Sequence, residues 1–210
     1  MQPGPHSGPA LSAAGWIPMR VLIVDDHDAV RAGVLKLFEE EPDMHAEGVA
    51  GGQEAVLASR RDAIDVVVVD YQLAHGEDGL AVITDIRRLA DPPRVLLYSA
   101  YADAPLGVLA LLAGADGLLS KGTLGLDLVQ AVRDVWAGRR RWPRLPGPIV
   151  AGIGARLPAA DQPLFRMWVD GARDAEVGRA LGLTADELEL RRAEILGVLA
   201  APPGLALVGT

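Results

Sequence analysis

The chain has 210 residues, no cysteine and a formal net charge of −8 at pH 7. This length suits one medium domain followed by a small one, and an apolar content of 50% indicates globular domains rather than a disordered chain. The lack of cysteine excludes disulfides and cysteine-bound zinc and predicts a reducing compartment, the cytoplasm. The negative charge opposes contact with a phosphate backbone unless cations gather on one face.

The first 18 residues are rich in Gly, Pro, Ala and Ser, and they lack the basic start and apolar run of a secretory signal. Residues 1–18 are therefore predicted to be a disordered extension. Asp, Arg or Gly interrupts every apolar run before it reaches the ~18 residues that a membrane span needs. We expect no membrane partner.

Short apolar runs alternate with segments of helical period over residues 19–138, which is typical of a parallel sheet covered on both faces. The predicted strands cover residues 21–24, 44–49, 66–69, 95–98 and 117–119. The predicted helices cover residues 28–40, 53–60, 80–89, 104–113 and 126–136. Five such units predict an α/β domain with a five-stranded, doubly wound sheet.

The remainder of the chain predicts a linker and a small helical domain. Residues 139–157 carry Arg139, Arg140, Arg141 and Arg144 among prolines and glycines, a composition that predicts no regular element. Three helices are predicted at residues 161–170, 174–181 and 184–199. With their tight turns they predict a small all-α helix-turn-helix domain over residues 158–200. Residues 201–210 are predicted to be an unstructured tail.

Polar residues follow four of the predicted strands. Asp25 and Asp26 follow the first strand, Asp70 the third, Ser99 the fourth and Lys121 the fifth. Ligands of a doubly wound sheet bind at the carboxyl ends of its strands, so we expect these side chains to converge. Clustered carboxylates repel each other unless a cation joins them, and such oxygen ligands suit Mg²⁺. A carboxylate there could attack a phosphoryl group, with the metal and Lys121 offsetting the charge.

Each residue taken alone also has a structural interpretation. An aspartate after a strand is often a helix N-cap, a serine is often a turn residue, and a lysine is often a solvated surface charge. Their joint occurrence at four strand ends favours the functional interpretation. His27 is interpreted as the start of a helix rather than a metal ligand, and His45 and His75 have no partner at ligand spacing.

Residues 20–138 resemble the receiver domain of two-component response regulators, which has a flavodoxin-like fold. The resemblance is carried by V-L-I-V-D-D-H-D-A-V-R-A-G-V (21–34), V-V-V-V-D-Y-Q-L (66–73), V-L-L-Y-S-A (95–100) and A-G-A-D-G-L-L-S-K (113–121). It implies that Asp70 accepts a phosphoryl group from a histidine kinase, that Ser99 moves toward the phosphate and that Lys121 pairs with it. It implies Mg²⁺ as the cofactor, held by Asp25, Asp26, Asp70 and the backbone carbonyl of Gln72. The only reactions implied are self-phosphorylation and autodephosphorylation, so the protein is not expected to be an enzyme otherwise.

Two positions depart from the family pattern. Leu118 stands where the family usually has an aromatic switch residue, which predicts weaker coupling to phosphorylation. The loop after Asp70, A-H-G-E-D-G, lacks the usual proline at Ala74 and is one residue longer than common. This change is expected to affect kinase docking or the lifetime of the phosphate.

Residues 157–199 resemble the LuxR-type helix-turn-helix of the NarL/FixJ group. In place of the family's T-V-K-x-H-x-x-x-I, the reading helix has E-L-E-L-R-R-A-E-I (187–195), with Glu189 and Ala193 at common lysine positions. Arg191 and Arg192 are its only cations and are the candidate DNA contacts. A glutamate facing phosphates repels them, so this surface is equally well interpreted as a solvated or protein-binding face.

The leading hypothesis is a phosphorylation-dependent regulator of transcription that acts as a homodimer on DNA. A second keeps the receiver but gives the C-terminal helices a protein partner instead of DNA. A third is a phosphatase of the haloacid dehalogenase type, which also uses a strand-end aspartate with Mg²⁺. That family needs a second aspartate two residues after the nucleophile, where this chain has Gln72.

Overall fold

The computed structural model describes residues 11–12, 15–16, 18–123 and 125–201. The chain divides into two compact units, one formed by residues 1–102 and 114–143 and the other by residues 103–113 and 144–210. Most of the predicted extension at 1–18 and nearly all of the predicted tail at 201–210 lie outside the described residues. Within the extension, β1 (Leu11–Ser12) pairs antiparallel with β2 (Gly15–Trp16).

The first unit is built on a five-stranded sheet in which every neighbouring pair is parallel. Its spatial order is β4-β3-β5-β6-β7, so the predicted fold class is confirmed. The strands are β3 (Met19–Val24), β4 (Met44–Val49), β5 (Val66–Asp70), β6 (Arg94–Ser99) and β7 (Gly117–Ser120). The helices of this unit are α1 (Asp28–Glu39), α2 (Gly52–Arg61), α3 (Gly79–Arg87) and α5 (Gly125–Trp136).

The strand order reverses at β3, which pairs with β4 on one side and with β5 on the other. The four valines of β5 are fully buried, as expected for a central strand that is covered on both faces. At such a reversal the loops leave a crevice at the carboxyl ends of the strands. Asp25 follows β3 at this point and Asp70 ends β5, so the fold brings the predicted site residues to one crevice.

The second unit is entirely helical among its described residues. It contains α4 (Ala104–Ala113), α6 (Gly147–Gly154), α7 (Gln162–Val169), α8 (Asp174–Leu181) and α9 (Ala185–Ala200). The core combines Val108 and Leu112 of α4 with apolar residues of the C-terminal helices: Leu164, Phe165, Trp168, Val177, Leu188, Ile195 and Leu199. The three predicted C-terminal helices are therefore present, and α4 shares their core.

One prediction for the linker was wrong. Residues 139–157 were expected to hold no regular element, but α6 lies within them. Pro148 occupies the first turn of this helix, where its missing N–H would have no helical partner in any case. Gly154 packs against the ring of Phe165, where a Cβ would come within 2.9 Å of it. Close packing therefore offsets the poor helix propensity of this segment.

No helix among the described residues is long and apolar enough to cross a membrane.

Candidate functional site

Asp70 ends the central strand and is 6% exposed. One carboxylate oxygen, Oδ2, lies 2.6 Å from the ammonium nitrogen of Lys121, and Oδ1 accepts a hydrogen bond from the backbone N–H of Gln72 at 3.4 Å. Burial raises the pKa of Asp70 above its ordinary value, because the charged form loses water. The hydrogen bond from Lys121 opposes this rise and favours the carboxylate form.

Asp25 is also buried, at 3% exposure, directly after β3. Its Oδ2 accepts a hydrogen bond from Lys121 at 2.8 Å, and its Oδ1 accepts one from the backbone N–H of His27 at 2.9 Å. Lys121 thus joins two carboxylates from adjacent strands. The like charges of Asp25 and Asp70 are tolerated because one ammonium group lies between them.

Lys121 follows β7, and its backbone N–H donates to the carbonyl of Ser99 at 2.8 Å, which holds the ends of β6 and β7 together. Burial alone would lower the pKa of Lys121, but the hydrogen bonds to Asp25 and Asp70 raise it above the ordinary value. Lys121 therefore stays charged at neutral pH. It supplies one positive charge against the three carboxylates of the crevice.

The surroundings of Asp26 indicate that the site needs a further cation. Its Oδ1 is buried and has no hydrogen-bond partner among the described residues, and it lies 3.0 Å from Nδ1 of His27 without hydrogen-bond alignment. Asp25, Asp26, His27 and Asp70 each offer a ligand atom, and these atoms lie within 4.8 Å of one another. A cluster of carboxylate oxygens that exceeds its cations by two charges fits a hard divalent ion. The structure thus brings His27 beside these groups, where the sequence indicated only a helix start.

Ser99 ends β6 and is almost completely buried, with 1% exposure. Its Oγ accepts a hydrogen bond from the backbone N–H of Tyr101 at 3.0 Å, so the hydroxyl hydrogen remains available as a donor. Gln72 lies two residues past Asp70 and pairs antiparallel with Asp78. All the residues predicted for the site therefore lie at the strand ends of this one sheet, while the ligand role of the Gln72 carbonyl remains a prediction.

A family model described as the response regulator receiver domain matches residues 21–133, more than half of the chain. This chain belongs to the response regulator receiver family. Strand order, the acidic crevice and the matched residues all agree with the resemblance noted in the sequence. The haloacid dehalogenase hypothesis has no support from this match.

Curated relatives match somewhat more than half of this response regulator. The "Response regulator UvrY" of Escherichia coli (strain K12) is 35% identical over 123 residues, which are 58% of this chain and 56% of that protein. The "DNA-binding transcriptional activator DevR/DosR" of Mycobacterium tuberculosis (strain ATCC 25618 / H37Rv) is 34% identical over 122 residues, with the same two coverages. The match therefore spans little more than half the length of these relatives.

Solved structures extend the similarity. A two-component response regulator of the LuxR family from Aurantimonas sp. SI85-9A1 is 31% identical, with a TM-score of 0.57 over 65% of this chain and 98% of that chain. The RcsB response regulator of Salmonella typhimurium is 18% identical, with a TM-score of 0.55 over 88% of this chain and 93% of that chain, which supports the fold alone. These similarities agree with the predicted NarL/FixJ type.

The long loop after Asp70 in this response regulator is held in place by a residue that sequence reasoning missed. Oε2 of Glu77 accepts a hydrogen bond from the backbone N–H of Gly52, at the first turn of α2, at 2.9 Å. His75 and Gly76 adopt positive φ values of 58° and 75°, which form the turn. A carboxylate at a helix N-terminus is favourable because it meets unpaired N–H groups. The unusual pair Gly51–Gly52 was the only available signal.

The second cation of the candidate DNA-reading helix faces the core of its own unit. The guanidinium of Arg192 stacks on the ring of Trp168, 4.4 Å from its centroid, and pairs with Asp174. Nε1 of Trp168 donates to the same carboxylate oxygen of Asp174 at 2.9 Å. Arg192 thus forms part of a three-residue cluster that joins α7, α8 and α9.

Arg191 is also paired within its unit. Its Nη1 lies 3.2 Å from Oδ1 of the buried Asp161 and 3.6 Å from Oε2 of Glu194. Neither candidate DNA contact is therefore a cation without an internal acidic partner.

The exposed face of α9 carries acidic and apolar side chains rather than cations. Asp186, Leu190, Ala193 and Gly197 lie about one turn apart and are exposed, and 61% of Leu190 is accessible to solvent. Glu187 and Glu194 flank this row and are also exposed. This face is acidic and apolar, which does not suit a phosphate backbone.

Proposed function

We propose that this protein is a phosphorylation-dependent response regulator that accepts a phosphoryl group on Asp70 from a histidine kinase. The observation that carries the proposal is the buried Asp70 carboxylate at the sheet's reversal point, bonded to Lys121 and adjacent to Asp25. Apart from self-phosphorylation and autodephosphorylation at Asp70, we assign no catalytic activity.

In the proposed reaction, a carboxylate oxygen of Asp70 attacks the phosphorus of a phosphohistidine. The new O–P bond gives an acyl phosphate, the P–N bond breaks, and the kinase histidine leaves with its electron pair. Lys121 then pairs with a phosphoryl oxygen in place of the Asp70 oxygen it holds in the resting protein. Ser99 supplies a hydroxyl donor once its segment moves toward the phosphate.

The residues present fit Mg²⁺. Asp25, Asp26, Asp70 and the backbone carbonyl of Gln72 would hold the ion. Oδ1 of Asp26, which accepts no hydrogen bond from the described residues, is the atom that most clearly needs it. When bound, the ion supplies positive charge against the phosphoryl oxygens.

The test is phosphorylation of the full chain by acetyl phosphate with Mg²⁺, followed by intact mass spectrometry. One phosphate should appear on the wild type and none on Asp70→Asn. The matched control is Asp28→Asn, because Asp28 is a mostly exposed aspartate in the first turn of α1, paired with Arg31, and should not affect labelling. Full incorporation into Asp70→Asn would refute the assignment.

For the output we propose control of transcription by a homodimer formed on phosphorylation, supported by similarity to a relative named as a DNA-binding transcriptional activator. The acidic and apolar face of α9 favours a second candidate, in which the C-terminal helices bind a protein instead of DNA. Gel shifts of genomic fragments with phosphorylated and unphosphorylated protein separate the two. A sequence-selective shift supports the first, and its absence in both states supports the second.

A further inference from the structure

The arginine-rich linker is bonded to the last strand of the sheet. The backbone N–H of Leu118 donates to the carbonyl of Arg141 at 2.8 Å, and the N–H of Arg141 donates to the carbonyl of Asp116 at 3.2 Å. Gly117 and Arg141 thereby pair in parallel. A Cβ on Gly117 would lie 2.6 Å from the Arg141 carbonyl oxygen, so this close approach requires glycine. The linker is therefore attached to β7, the strand that Lys121 follows.

A cavity of about 450 Å³ lies beside this pairing within the same unit. Ala102, Leu118, Ser120 and Trp142 are among its lining residues. Ala102 lies three residues after Ser99, and Ser120 directly precedes Lys121. Two lining residues, Ala102 and Ser120, are thus close in sequence to Ser99 and Lys121, the two groups expected to respond to the phosphate.

The indole N–H of Trp142 is buried and has no hydrogen-bond acceptor within the part of the chain that the structure describes. A buried donor without a partner is costly, and folded proteins rarely retain one without a reason. Leu118 lines this space with an aliphatic side chain where the family usually has a ring. An unsatisfied donor next to such a space indicates that a second arrangement of Trp142 is available.

We infer that Trp142 is the group that relays phosphorylation of Asp70 to the linker. When the segment after Ser99 and the end of β7 close on the phosphate, the cavity walls at Ala102 and Ser120 shift. The Trp142 ring moves into the cavity and its N–H gains an acceptor. This inference rests on the proposed function, because the phosphate provides the driving change.

The experiment uses the full chain labelled with 5-fluorotryptophan and observed by ¹⁹F NMR with and without acetyl phosphate and Mg²⁺. Trp142→Phe and Trp136→Phe variants identify the two resonances, and Trp136, at the end of α5, is the internal control. The Trp142 resonance should shift on phosphorylation while that of Trp136 stays in place. Intact mass of the same samples reports the phosphate independently.

A phosphorylated sample in which the Trp142 resonance does not move overturns the inference and leaves the proposed function standing. A sample that takes up no phosphate on Asp70 overturns both. In Asp70→Asn the Trp142 resonance should not respond, and a response there would also refute the inference.

A second variant tests the cavity itself. Leu118→Phe fills the space with a ring and should abolish the shift of Trp142 without preventing phosphorylation. The matched control is Leu57→Phe, since Leu57 is exposed on α2 and lines no part of this cavity. A full Trp142 shift in phosphorylated Leu118→Phe would contradict the inference.

Discussion

The charged groups of the strand-end crevice in the first unit and those of helix α9 in the second are arranged differently. In the crevice Asp25 and Asp70 share one ammonium, and Oδ1 of the third carboxylate, Asp26, has no hydrogen-bond partner among the described residues. In α9 both arginines are paired with acidic groups of their own unit. The crevice holds more carboxylates than cations, whereas the two arginines of α9 are paired with acidic groups that lie on or next to other helices of their unit.

The difference teaches that a charged residue is informative about function only when its internal partners are known. Lys121 and Arg192 are both cations near carboxylates. Lys121 donates hydrogen bonds to two carboxylates that repel each other. A cation or phosphate that enters the crevice therefore changes the charges that Lys121 has to offset. Arg192 lies between one ring and one acid, an arrangement that is complete without a ligand.

The largest expected effect tests the crevice. Asp26→Ala removes the carboxylate whose Oδ1 accepts no hydrogen bond from the described residues. It should weaken Mg²⁺ binding at least about tenfold, since loss even of residues that only support metal ligands costs that much. Phosphorylation by acetyl phosphate should fall with it. Calorimetric titration with Mg²⁺ measures the affinity, and Asp28→Ala is the control. An unchanged titration would place the metal elsewhere.

Arg192→Ala tests the other side of the comparison. Loss of the stacking on Trp168 and of the pair with Asp174 should lower the free energy of unfolding of the second unit by about 1–2 kcal/mol. Denaturant unfolding measures this, and Arg166→Ala, an exposed arginine on α7, should have little effect. A DNA-binding defect in Arg192→Ala without loss of stability would show that this arginine serves DNA rather than the core.

Adding lysines to the exposed face of α9 should remove the feature that sets this helix apart from a DNA-reading surface. Glu189→Lys with Ala193→Lys should raise affinity for DNA by roughly 1 kcal/mol or more and steepen the salt dependence by about 0.9 per phosphate contacted. A binding titration at several salt concentrations measures both quantities. The control pair Ala175→Lys with Ala180→Lys adds two positive charges on α8, against a charge change of three on α9. Tight, salt-sensitive and sequence-selective binding by the wild type would show that the reading surface is intact.

The smallest expected effect provides a baseline for an ordinary ion pair. Asp43 accepts hydrogen bonds from Arg133 at 2.7 and 3.0 Å, which hold its pKa below the usual 3.8. A lowered folded-state pKa means that this stabilisation is complete above pH 3.8 and is lost as the pH falls through the lower, folded-state value. Asp43→Asn should therefore cost up to about 1 kcal/mol at neutral pH.

The difference between Asp43→Asn and wild type should shrink as the pH falls below 3.8 toward the folded-state pKa of Asp43, as measured by urea unfolding across pH. Asp85→Asn, in an exposed pair with Arg88 on α3, should change stability by less than about 0.5 kcal/mol. A loss of stability in Asp43→Asn that grows toward low pH would have the wrong sign for this explanation.

Much of the first unit could be predicted because its signals are local. The valine run of β5 and the acidic residues that follow β3 and β5 are adjacent in sequence, and parallel strands bring their ends together whatever the loops do. The bounds of β4, and those of α4 and α8 in the second unit, agree with the sequence pattern for the same reason. The parallel topology alone therefore brings these residues together at one edge of the sheet.

Other features depend on contacts between distant parts of the chain and left no local signal. The helix α6 packs closely against Phe165 at Gly154, although its composition favours an irregular segment. The roles of Glu77 and Trp142 and the internal partners of Arg191 and Arg192 are fixed by residues on other elements. The sequence shows which amino acid stands at each of these positions, but not which residue of another element it contacts.

The pairing of Arg141 with Gly117 has a consequence for the order in which the chain is made. A strand whose outer backbone groups are unpaired can add a strand from another molecule. The strand β7 is complete at Ser120, but Arg141 lies beyond the whole of α5. Until the linker arrives, a growing or proteolysed chain offers an open template at β7 for self-association. The arginines and proline that follow α5 would then protect solubility as well as connect the two units.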